Sequence, residues 1–152
     1  MRVGVISDTH GLLRPEAIDA LEGCDHILHA GDIGRDGLIG ELEAIAPVTA
    51  IRGNVDTEGW AARFLETVET ELAGTRIHMR HDLKTLGFDP GERNIAVVVS
   101  GHSHKPLIES RGGVLFLNPG AAGKRRFRLP VTLARLDLGP AGPRAELVHL
   151  ID

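Results

Sequence analysis

Two pairs of residues with metal-binding side chains stand far apart in the chain and share the same internal spacing. Asp8 and His10 form the first pair, and His102 and His104 form the second. In an extended chain, residues two apart point to the same side, so each pair would present two ligands in one direction. Aspartate and histidine are common ligands of divalent first-row metals. The spacing therefore predicts a metal site that draws on distant parts of the chain.

Three further candidate ligands lie between these pairs. Asp32 follows Gly31, Asn54 follows Gly53, and His81 follows an apolar run. They bring the candidate ligands to seven, and the carboxylate near the middle of the set could bridge two ions. Because imidazole and oxygen ligands occur without a thiolate, the set favours Mn²⁺, Fe²⁺ or Zn²⁺ over Cu⁺ and iron–sulfur clusters.

Each motif taken alone also has a purely structural interpretation. Segments 8–11, 31–32 and 53–56 are all compatible with ordinary turns, because Asp, Asn and Gly favour turns. The segment Gly-His-Ser-His at 101–104 differs, since two histidines after a buried apolar strand have little structural purpose. The order of the motifs as a set favours a metal site over a series of unrelated turns.

The elements that must position these ligands alternate between strand and helix in the first half of the chain. The sequence predicts strands at 2–6, 26–29 and 47–51 and helices at 15–21 and 36–45. This alternation is typical of βαβ units and a parallel sheet. Asp8, Asp32 and Asn54 each follow one of these strands, and the carboxyl ends of parallel strands share one edge. We therefore expect these three residues to converge.

The second half of the chain consists mostly of strands separated by turns. Strands are predicted at 66–72, 75–80, 95–99, 107–110, 114–117, 131–138 and 144–151. They predict a second sheet that packs face to face with the first. The expected fold is α/β, a layered α/β sandwich of two mixed β-sheets flanked by helices, formed by residues 1–152 as a single domain. Residues 57–63 are predicted to form a short helix or a lid beside the site.

Composition and charge narrow the class of protein. Hydrophobic content of 42% and charged content of 25% over 152 residues are typical of a soluble globular protein. No apolar run approaches the roughly 18 residues of a membrane span, so we expect no membrane association and a cytoplasmic location. The net charge of −4 argues against a stable nucleic-acid complex, because binding the phosphate backbone requires a surplus of cations. Two divalent cations would bring this charge close to neutrality.

As an ordered set, these motifs resemble those of the calcineurin-like metallophosphoesterases. The family motifs D-x-H, G-D, G-N, H and G-H-x-H occur here in the same order, and the similarity covers nearly the whole chain. The sequence is most similar to the small phosphodiesterases of the YfcE and MJ0936 type, to which the retromer subunit Vps29 is related. The resemblance implies that one ion is held by Asp8, His10, Asp32 and His104. It implies a second ion held by Asp32, Asn54, His81 and His102, with Asp32 as the bridge.

The resemblance also implies an activity. A small-molecule phosphodiester, with monoesters as a further option, would be hydrolysed by a hydroxide held between two divalent ions. Mn²⁺ is the expected ion, and Fe²⁺, Zn²⁺, Ni²⁺ or Co²⁺ would also fit. Asp32, Asn54 and His81 would act in catalysis through that hydroxide, and the sequence names no general acid. The alternative is a non-catalytic scaffold or binding protein related to Vps29 that retains the metal site, and a homodimer is compatible with either function.

Three positions depart from the family pattern. Larger members often have a histidine directly after the motif asparagine, where this chain has Val55. Small relatives commonly have glycine after the histidine that corresponds to His81. This chain has Asp82 there, which could coordinate an ion, bond to His81 or only change the turn. The frequent turn Asn-Pro-Gly-Ser ends in Ala121 instead of serine.

Basic residues next to the motifs are candidates for contacts with the substrate. Arg52 precedes Gly53, Arg80 precedes His81, and Arg125 belongs to the positively charged segment 124–128. These three arginines are predicted to bind the phosphate of the substrate. For the segment 124–128, steering of an anionic substrate toward the site and a solvated loop without that role remain alternative interpretations.

Overall fold

The computed structural model describes residues 1–152 and contains two five-stranded sheets. The strands are β1 (Arg2–Ile6), β2 (His26–His29), β3 (Val48–Ala50), β4 (Thr67–Leu72), β5 (Thr75–Arg80), β6 (Val97–Val99), β7 (Leu107–Arg111), β8 (Val114–Asn118), β9 (Thr132–Gly139) and β10 (Gly142–His149). The α-helices are α1 (Pro15–Leu21) and α2 (Leu38–Glu43), and 3₁₀-helices cover Gly59–Arg63, Leu83–Thr85 and Pro90–Arg93. None of these helices has the length and apolar character needed to cross a membrane.

The first sheet has the strand order β10-β9-β1-β2-β3. β1 pairs in parallel with β2, and β2 pairs in parallel with β3, which confirms the predicted βαβ units. α1 begins with Pro15, which suits the first helical position because the N–H missing from proline is not needed there. α2 is shorter than the predicted 36–45 because Gly37, at φ 88°, lies outside helical geometry immediately before it.

The C-terminal hairpin extends the first sheet rather than the second. β9 lies antiparallel to β1, and β10 pairs with β9. Gly139 pairs with Gly142, so the turn shrinks to two residues and β10 begins before the predicted residue 144. The expectation that the second-half strands form one separate sheet was therefore wrong for this hairpin. Burial periodicity shows which face of a strand is buried, but it does not show which sheet the strand joins.

The second sheet has the strand order β4-β5-β6-β8-β7. β5, β6 and β8 are parallel, and β4 and β7 are antiparallel edge strands. β6 consists of three fully buried valines, as expected for a central parallel strand that is covered on both faces.

The core forms in layers, as the predicted sandwich requires. Side chains between the two sheets include Val5, Leu28, Met79 and Leu117. Both α-helices pack on the other face of the first sheet, where a second cluster contains Leu21, Ile27, Leu38 and Leu42. The outer face of the second sheet is covered by the segment that carries the 3₁₀-helices, through Leu83, Leu86 and Phe88. The fold is a layered α/β sandwich of two mixed sheets.

The loops that follow β1, β2, β5 and β6 meet at one edge of this sandwich. His81, which follows β5, places its Nδ1 atom 2.7 Å from the carbonyl oxygen of Ala30, which follows β2. The backbone N–H of His102, which follows β6, donates to Asp8 Oδ2 at 3.0 Å. The edge therefore joins the two sheets and collects the predicted ligands.

Leu28→Ala tests the layer between the sheets. Leu28 is fully buried, and removal of its side chain should lower the free energy of unfolding by about 3 kcal/mol, through lost burial and a residual cavity. Leu65→Ala is the matched control, because Leu65 is 66% exposed and should change stability by less than about 0.5 kcal/mol. Urea denaturation measures both values, and equal effects of the two substitutions would contradict the assigned core.

Candidate metal centre

Five of the seven predicted ligands have left-handed backbone conformations. Their φ angles are 53° at Asp8, 45° at His10, 55° at Asp32, 71° at His102 and 63° at His104. The assumption of an extended chain at 8–10 and 102–104 was therefore wrong, since β1 and β6 have already ended. Such conformations cost about 1–3 kcal/mol each for residues with side chains, and they cluster at functional sites.

The two pairs that share an i, i+2 spacing differ in how their side chains point. Asp8 and His10 converge, with His10 Nε2 3.8 Å from Asp8 Oδ1. His102 and His104 diverge. His104 is buried against Asp8, whereas the His102 side chain is 42% exposed and faces Asp82.

Two groups of side chains have ligand atoms close enough to hold an ion. The first group is Asp8, His10 and His104, and the second group is Asp8, Asp32 and His81. In the first group, His104 Nε2 lies 3.4 Å from Asp8 Oδ1. In the second group, His81 Nε2 lies 3.1 Å from Asp32 Oδ2 and 3.8 Å from Asp8 Oδ1. Asp32 Oδ2 also lies 3.6 Å from His10 Nε2, so this carboxylate reaches both groups.

Four buried polar atoms in these groups have no hydrogen-bond partner. They are Asp8 Oδ1, His10 Nε2, His81 Nε2 and His104 Nδ1. Polar atoms buried without a partner are unfavourable by about 1–3 kcal/mol each, so they are rare in folded proteins. Two ligands bonded to one ion at about 2.1 Å are about 3.0–3.4 Å apart for bond angles between octahedral and tetrahedral. The donor types suit a divalent metal, and the His81–Asp32 and His104–Asp8 separations of 3.1 and 3.4 Å match this spacing, while the other pairs stand 3.6–3.8 Å apart.

Hydrogen bonds from the surrounding chain fix which ligand atoms face the centre. Asp8 Oδ2 accepts from Ser7 Oγ at 2.7 Å and from the His102 amide, which leaves Oδ1 free. Asp32 Oδ1 accepts from the Val55 amide at 3.1 Å, which leaves Oδ2 free. His81 Nδ1 donates to the carbonyl oxygen of Ala30, so Nε2 is the nitrogen that faces the two carboxylates. This outer layer orients ligands as it does in established metal sites.

The electrostatics of the centre keep its carboxyl groups ionised. Burial raises the pKa of Asp8, but the imidazoles of His10 and His104, whose Nε2 atoms lie 3.8 and 3.4 Å from Asp8 Oδ1, outweigh it and hold that pKa far below its usual range. Burial likewise raises the pKa of Asp32, and its interaction with His81 outweighs that effect and lowers the pKa overall. Two ionised carboxylates among imidazoles form a pocket of negative charge suited to a divalent cation.

The remaining two predicted ligands, Asn54 and His102, lie at the mouth of the centre and belong to neither group. The His102 ring is 5.3 Å from the His81 ring, measured between centroids. Asn54 is exposed and lines a cavity of about 590 Å³ together with His81 and Arg52. Five predicted ligands are thus brought together, and the roles of these two stay predictions.

Asp82 is not bonded to His81. Its Oδ1 atom accepts from the amide of Lys84 at 3.0 Å and so caps the 3₁₀-helix at Leu83–Thr85. Its Oδ2 atom lies 3.9 Å from His102 Nε2. Of the alternatives that the sequence left open, the bond to His81 is absent, a role in the local turn is present, and coordination of an ion by Asp82 stays a prediction.

The three arginines predicted to bind substrate differ in their contacts. Arg52 lies at the mouth with its Nη2 atom 3.5 Å from Glu66 Oε1. Arg80 donates to the carbonyl oxygen of Thr85 at 2.7 Å and lines the same cavity as Arg52. Arg125 donates to the carbonyl oxygen of Asp152 at 2.6 Å. A phosphate-binding role for each stays a prediction.

Two glycines allow the loops to approach one another closely. A Cβ atom on Gly53 would overlap the backbone nitrogen and the carboxylate of Asp32. A Cβ atom on Gly101 would overlap the hydroxyl of Ser7 and crowd the carboxylate of Asp8. The glycine in front of each motif residue is therefore required by the packing of the neighbouring ligand loop.

Asp56 is a structural residue of the centre that the sequence prediction missed. Its carboxylate accepts from the amides of Gly53 at 2.8 Å, Ile33 at 3.0 Å and Gly34 at 2.9 Å. It therefore ties the loop after β2 to the loop after β3. The available signal was an aspartate three residues after a turn glycine, a position from which aspartate commonly binds backbone N–H groups.

His29 supports the centre without belonging to either group of ligands. It is fully buried, its Nδ1 atom accepts from the Gly31 amide at 3.1 Å, and its Nε2 atom lies 3.0 Å from Thr9 Oγ1. The Thr9 hydroxyl donates to the carbonyl oxygen of Ile33, so His29 Nε2 is the donor to Thr9. Both ring nitrogens are therefore used in the neutral form. Burial lowers the pKa of His29 to about 4.

This low pKa predicts acid destabilisation that depends on His29. The unfolded chain gains a proton at His29 near pH 6.5 and the folded chain only near pH 4, so stability falls as the pH drops through this window. Between pH 7 and pH 5 the contribution is about 2 kcal/mol. His29→Asn is the test variant, because its Oδ1 atom can accept from Gly31 without titrating. Urea denaturation of both proteins in the presence of chelator, repeated between pH 7 and pH 5, should show that the free energy of unfolding falls more steeply with decreasing pH for the wild type. Equal falls in the two proteins would contradict the assigned neutral, buried state of His29.

Comparisons with known proteins identify related sequences and structures. Residues 1–140 match the family model of the calcineurin-like phosphoesterase superfamily domain. A probable metallophosphoesterase of Methanothermobacter thermautotrophicus is 36% identical over 149 residues, which cover 90% of this chain and 87% of that protein.

Solved structures share the fold at lower sequence identity. The phosphoesterase YfcE from E. coli is 24% identical with a TM-score of 0.68, over 90% of this chain and 88% of that one. An archaeal phosphodiesterase is 24% identical with a TM-score of 0.75, over 97% of this chain and 100% of that one. Vps29 from Entamoeba histolytica, solved with Zn²⁺, is 20% identical with a TM-score of 0.74, over 99% of this chain and 100% of that one. The family match, the curated relative and the fold lead to one conclusion: the chain belongs to the calcineurin-like phosphoesterase superfamily and is a metallophosphoesterase.

Proposed function

We propose that this metallophosphoesterase hydrolyses phosphodiesters with two divalent metal ions bound at the candidate centre. The observation that carries the proposal is the set of four buried, unpartnered polar atoms on Asp8, His10, His81 and His104. No protein group satisfies these atoms, and all four belong to side chains that ligate divalent metals. A cation bound beside Asp8 Oδ1, His10 Nε2 and His81 Nε2 would compensate for the burial of those three atoms, and His104 would offer it the other ring nitrogen, Nε2.

The arrangement of the ligands supports two ions rather than one. The first group contributes the imidazoles of His10 and His104, the second group contributes that of His81, and Asp8 belongs to both. Asp32 Oδ2 lies within 3.6 Å of His10 Nε2 and 3.1 Å of His81 Nε2, which supports its proposed role as the bridge. Asn54 and His102, at the mouth, would complete the coordination of the second ion. Mn²⁺ is our first candidate for both positions, since nitrogen and oxygen ligands suit it.

The side chains of the centre would hold and orient the ions, and none of them would act as the nucleophile. When bound, two divalent ions would lower the pKa of water and polarise a phosphate oxygen. The carboxylates of Asp8 and Asp32 and the imidazole of His81 are held in position by the hydrogen bonds described above. Val55 stands where larger relatives have a histidine, and its side chain carries no proton to give. Esters whose leaving group needs no protonation should therefore react fastest.

Two cavities beside the centre favour a diester as the substrate. The Arg52 cavity, lined by Arg52, Asn54 and His81 among others, has a volume of about 590 Å³. The Lys105 cavity, lined by His102 and Lys105 among others, has a volume of about 830 Å³. Asp82 lines both, so the cavities adjoin at the mouth of the centre. A phosphate at the centre could place one ester substituent in each cavity, whereas a monoester would fill only one.

A scaffold related to Vps29 is the alternative to an enzyme. The Vps29 structure is 20% identical to this chain, and a similarity at that level shows only that the fold is shared. A scaffold has no need for strained ligand loops around four unpartnered atoms, whereas a hydrolytic metal centre does. The centre therefore argues against a scaffold that has lost its metal site, and the metal-dependent ester assay separates the enzyme from a scaffold that retains it.

An assay with two model esters tests the proposed function. The purified protein is stripped with chelator and reloaded with Mn²⁺, Zn²⁺, Co²⁺, Ni²⁺ or Mg²⁺. Turnover of bis-p-nitrophenyl phosphate and of p-nitrophenyl phosphate is then measured. We expect metal-dependent hydrolysis with a higher kcat/KM for the diester. Both esters release p-nitrophenolate, which requires no protonation to leave, so the absence of a general acid at Val55 does not limit the assay. Absence of turnover for both esters with every metal, while metal content is confirmed, would refute the proposal.

Asp32→Ala should remove the bridging carboxylate. The variant should lose activity by on the order of 100-fold or more and retain less metal after dialysis. Asp137→Ala is the matched control, since the Asp137 side chain is 57% exposed on β9 and pairs only with Arg2. Metal analysis and the diester assay are run on both variants, and an active Asp32→Ala protein with two ions would contradict the assigned bridge.

A further inference from the structure

A loop of four cations around one aromatic residue begins directly beside the metal centre. This basic loop, Lys124–Arg128, is exposed throughout. Its base is anchored to the centre, because the Ala122 amide donates to the carbonyl oxygen of Ser7 at 3.1 Å and Arg14 Nε donates to that of Gly123 at 3.0 Å. The loop therefore emerges next to the Asp8–His10 segment.

Phe127, at the tip of this loop, is held out into solvent. Its side chain is 89% exposed, the highest value among the large hydrophobic residues that are exposed in this chain. Its backbone is left-handed at φ 54°, which is unfavourable for a bulky residue. The turn is closed by a hydrogen bond from the Leu129 amide to the Arg126 carbonyl oxygen at 3.1 Å. Because backbone strain clusters at functional sites, the exposed Phe127 ring is a candidate contact for a ligand.

The Lys105 cavity next to this loop is positively charged, although the chain as a whole carries −4. Arg111 is paired with Glu109, which leaves Lys84, Lys105 and Arg126 against the single carboxylate of Asp82. Arg126 lines the cavity and is adjacent in sequence to Phe127. The volume of about 830 Å³ lies within the usual range for sites that bind small organic ligands.

We propose that the Lys105 cavity and Phe127 form a nucleotide subsite. The base of a nucleoside esterified to the reacting phosphate stacks on Phe127, and a further phosphate of the same substrate binds Lys105 and Arg126. Proteins bind single-stranded nucleic acids through exposed aromatic rings combined with a cationic groove. The rings stack on the π-face of each base, and the cations pair with the negative charge of each phosphate linkage. This inference rests on the proposed function and names its substrates as short nucleotide diesters.

Two esters with the same leaving group test the stacking. Thymidine 5′-(p-nitrophenyl phosphate) carries a base, and methyl p-nitrophenyl phosphate carries no second ring. With Mn²⁺-loaded protein, Phe127→Ala should raise KM for the thymidine ester about tenfold with kcat nearly unchanged, because stacking contributes equally in the ground and transition states. KM for the methyl ester should not change, and Phe127→Trp should restore the wild-type KM for the thymidine ester.

Charge-removing variants test the phosphate contacts. Lys105→Ala and Arg126→Ala should raise KM for the 3′-phosphorylated thymidine ester more than for the unphosphorylated ester. Arg144→Ala, on β10 in the other sheet, is the control and should change neither value. Calorimetric titration of chelator-treated protein with thymidine 3′,5′-bisphosphate gives a readout independent of turnover, in which Phe127→Ala should weaken binding about tenfold.

The outcomes separate the two proposals. Hydrolysis of the methyl ester without any preference for the thymidine ester would overturn the nucleotide subsite and leave the proposed function standing. Absence of turnover for all esters would refute the proposed function, and the titration would still decide the subsite. Sedimentation with phosphatidylserine vesicles that requires Phe127, without binding of the bisphosphate, would overturn the subsite in favour of a lipid surface.

Discussion

The close approach of two buried carboxylates, Asp8 and Asp32, is the constraint on which the rest of this structure depends. Like charges in a poorly hydrated site repel each other, so both groups can remain ionised only if positive charge lies between or beside them. Imidazoles supply part of it, since His81 Nε2 is within 3.8 Å of Asp8 and 3.1 Å of Asp32. Four polar atoms still lack partners. The protein therefore stabilises an arrangement whose electrostatic balance is completed by a cation.

The fold imposes this arrangement by packing the ligand loops against one another. The Asp56 carboxylate joins the loops after β2 and β3, and His29 with Thr9 joins those after β1 and β2. The loop after β6 reaches the first sheet through the His102 amide and the Asp8 carboxylate. None of these contacts involves the free ligand atoms. The hydrogen bonds that join the ligand loops thus leave the metal-facing atoms free, and rigidity at this edge keeps those atoms in position.

Much of this architecture could be predicted from the sequence, and the exceptions have physical reasons. Apolar runs and turn residues located the strands, and the order of polar residues after them located the ligands. The periodicity of buried residues could not assign the β9–β10 hairpin to a sheet. Leu136 and Leu138 lie in the core between the two sheets, and they would enter that core whichever of the two sheets β9 joined. The left-handed backbone at Asp8 and His102 could not be predicted, since it results from packing between loops distant in sequence. The contacts of two arginines could not be predicted from local sequence either. Arg80 binds Thr85 only because Asp82 caps the 3₁₀-turn that contains Thr85. Arg125 binds Asp152 only because the folded C-terminus lies beside it.

The pairing of β1 with β9 has a consequence for how the molecule is made. β1 leads directly to Asp8, yet one of its two neighbouring strands is contributed by residues 132–139, and Met1 bonds to Leu138 across 137 positions. Contacts between residues so far apart in sequence form slowly, because the intervening chain must first be ordered. During synthesis on the ribosome, β1 gains this neighbouring strand only after residues 132–139 have emerged. We therefore expect the Asp8 loop, and with it any metal site built on Asp8, to reach its final geometry late in folding.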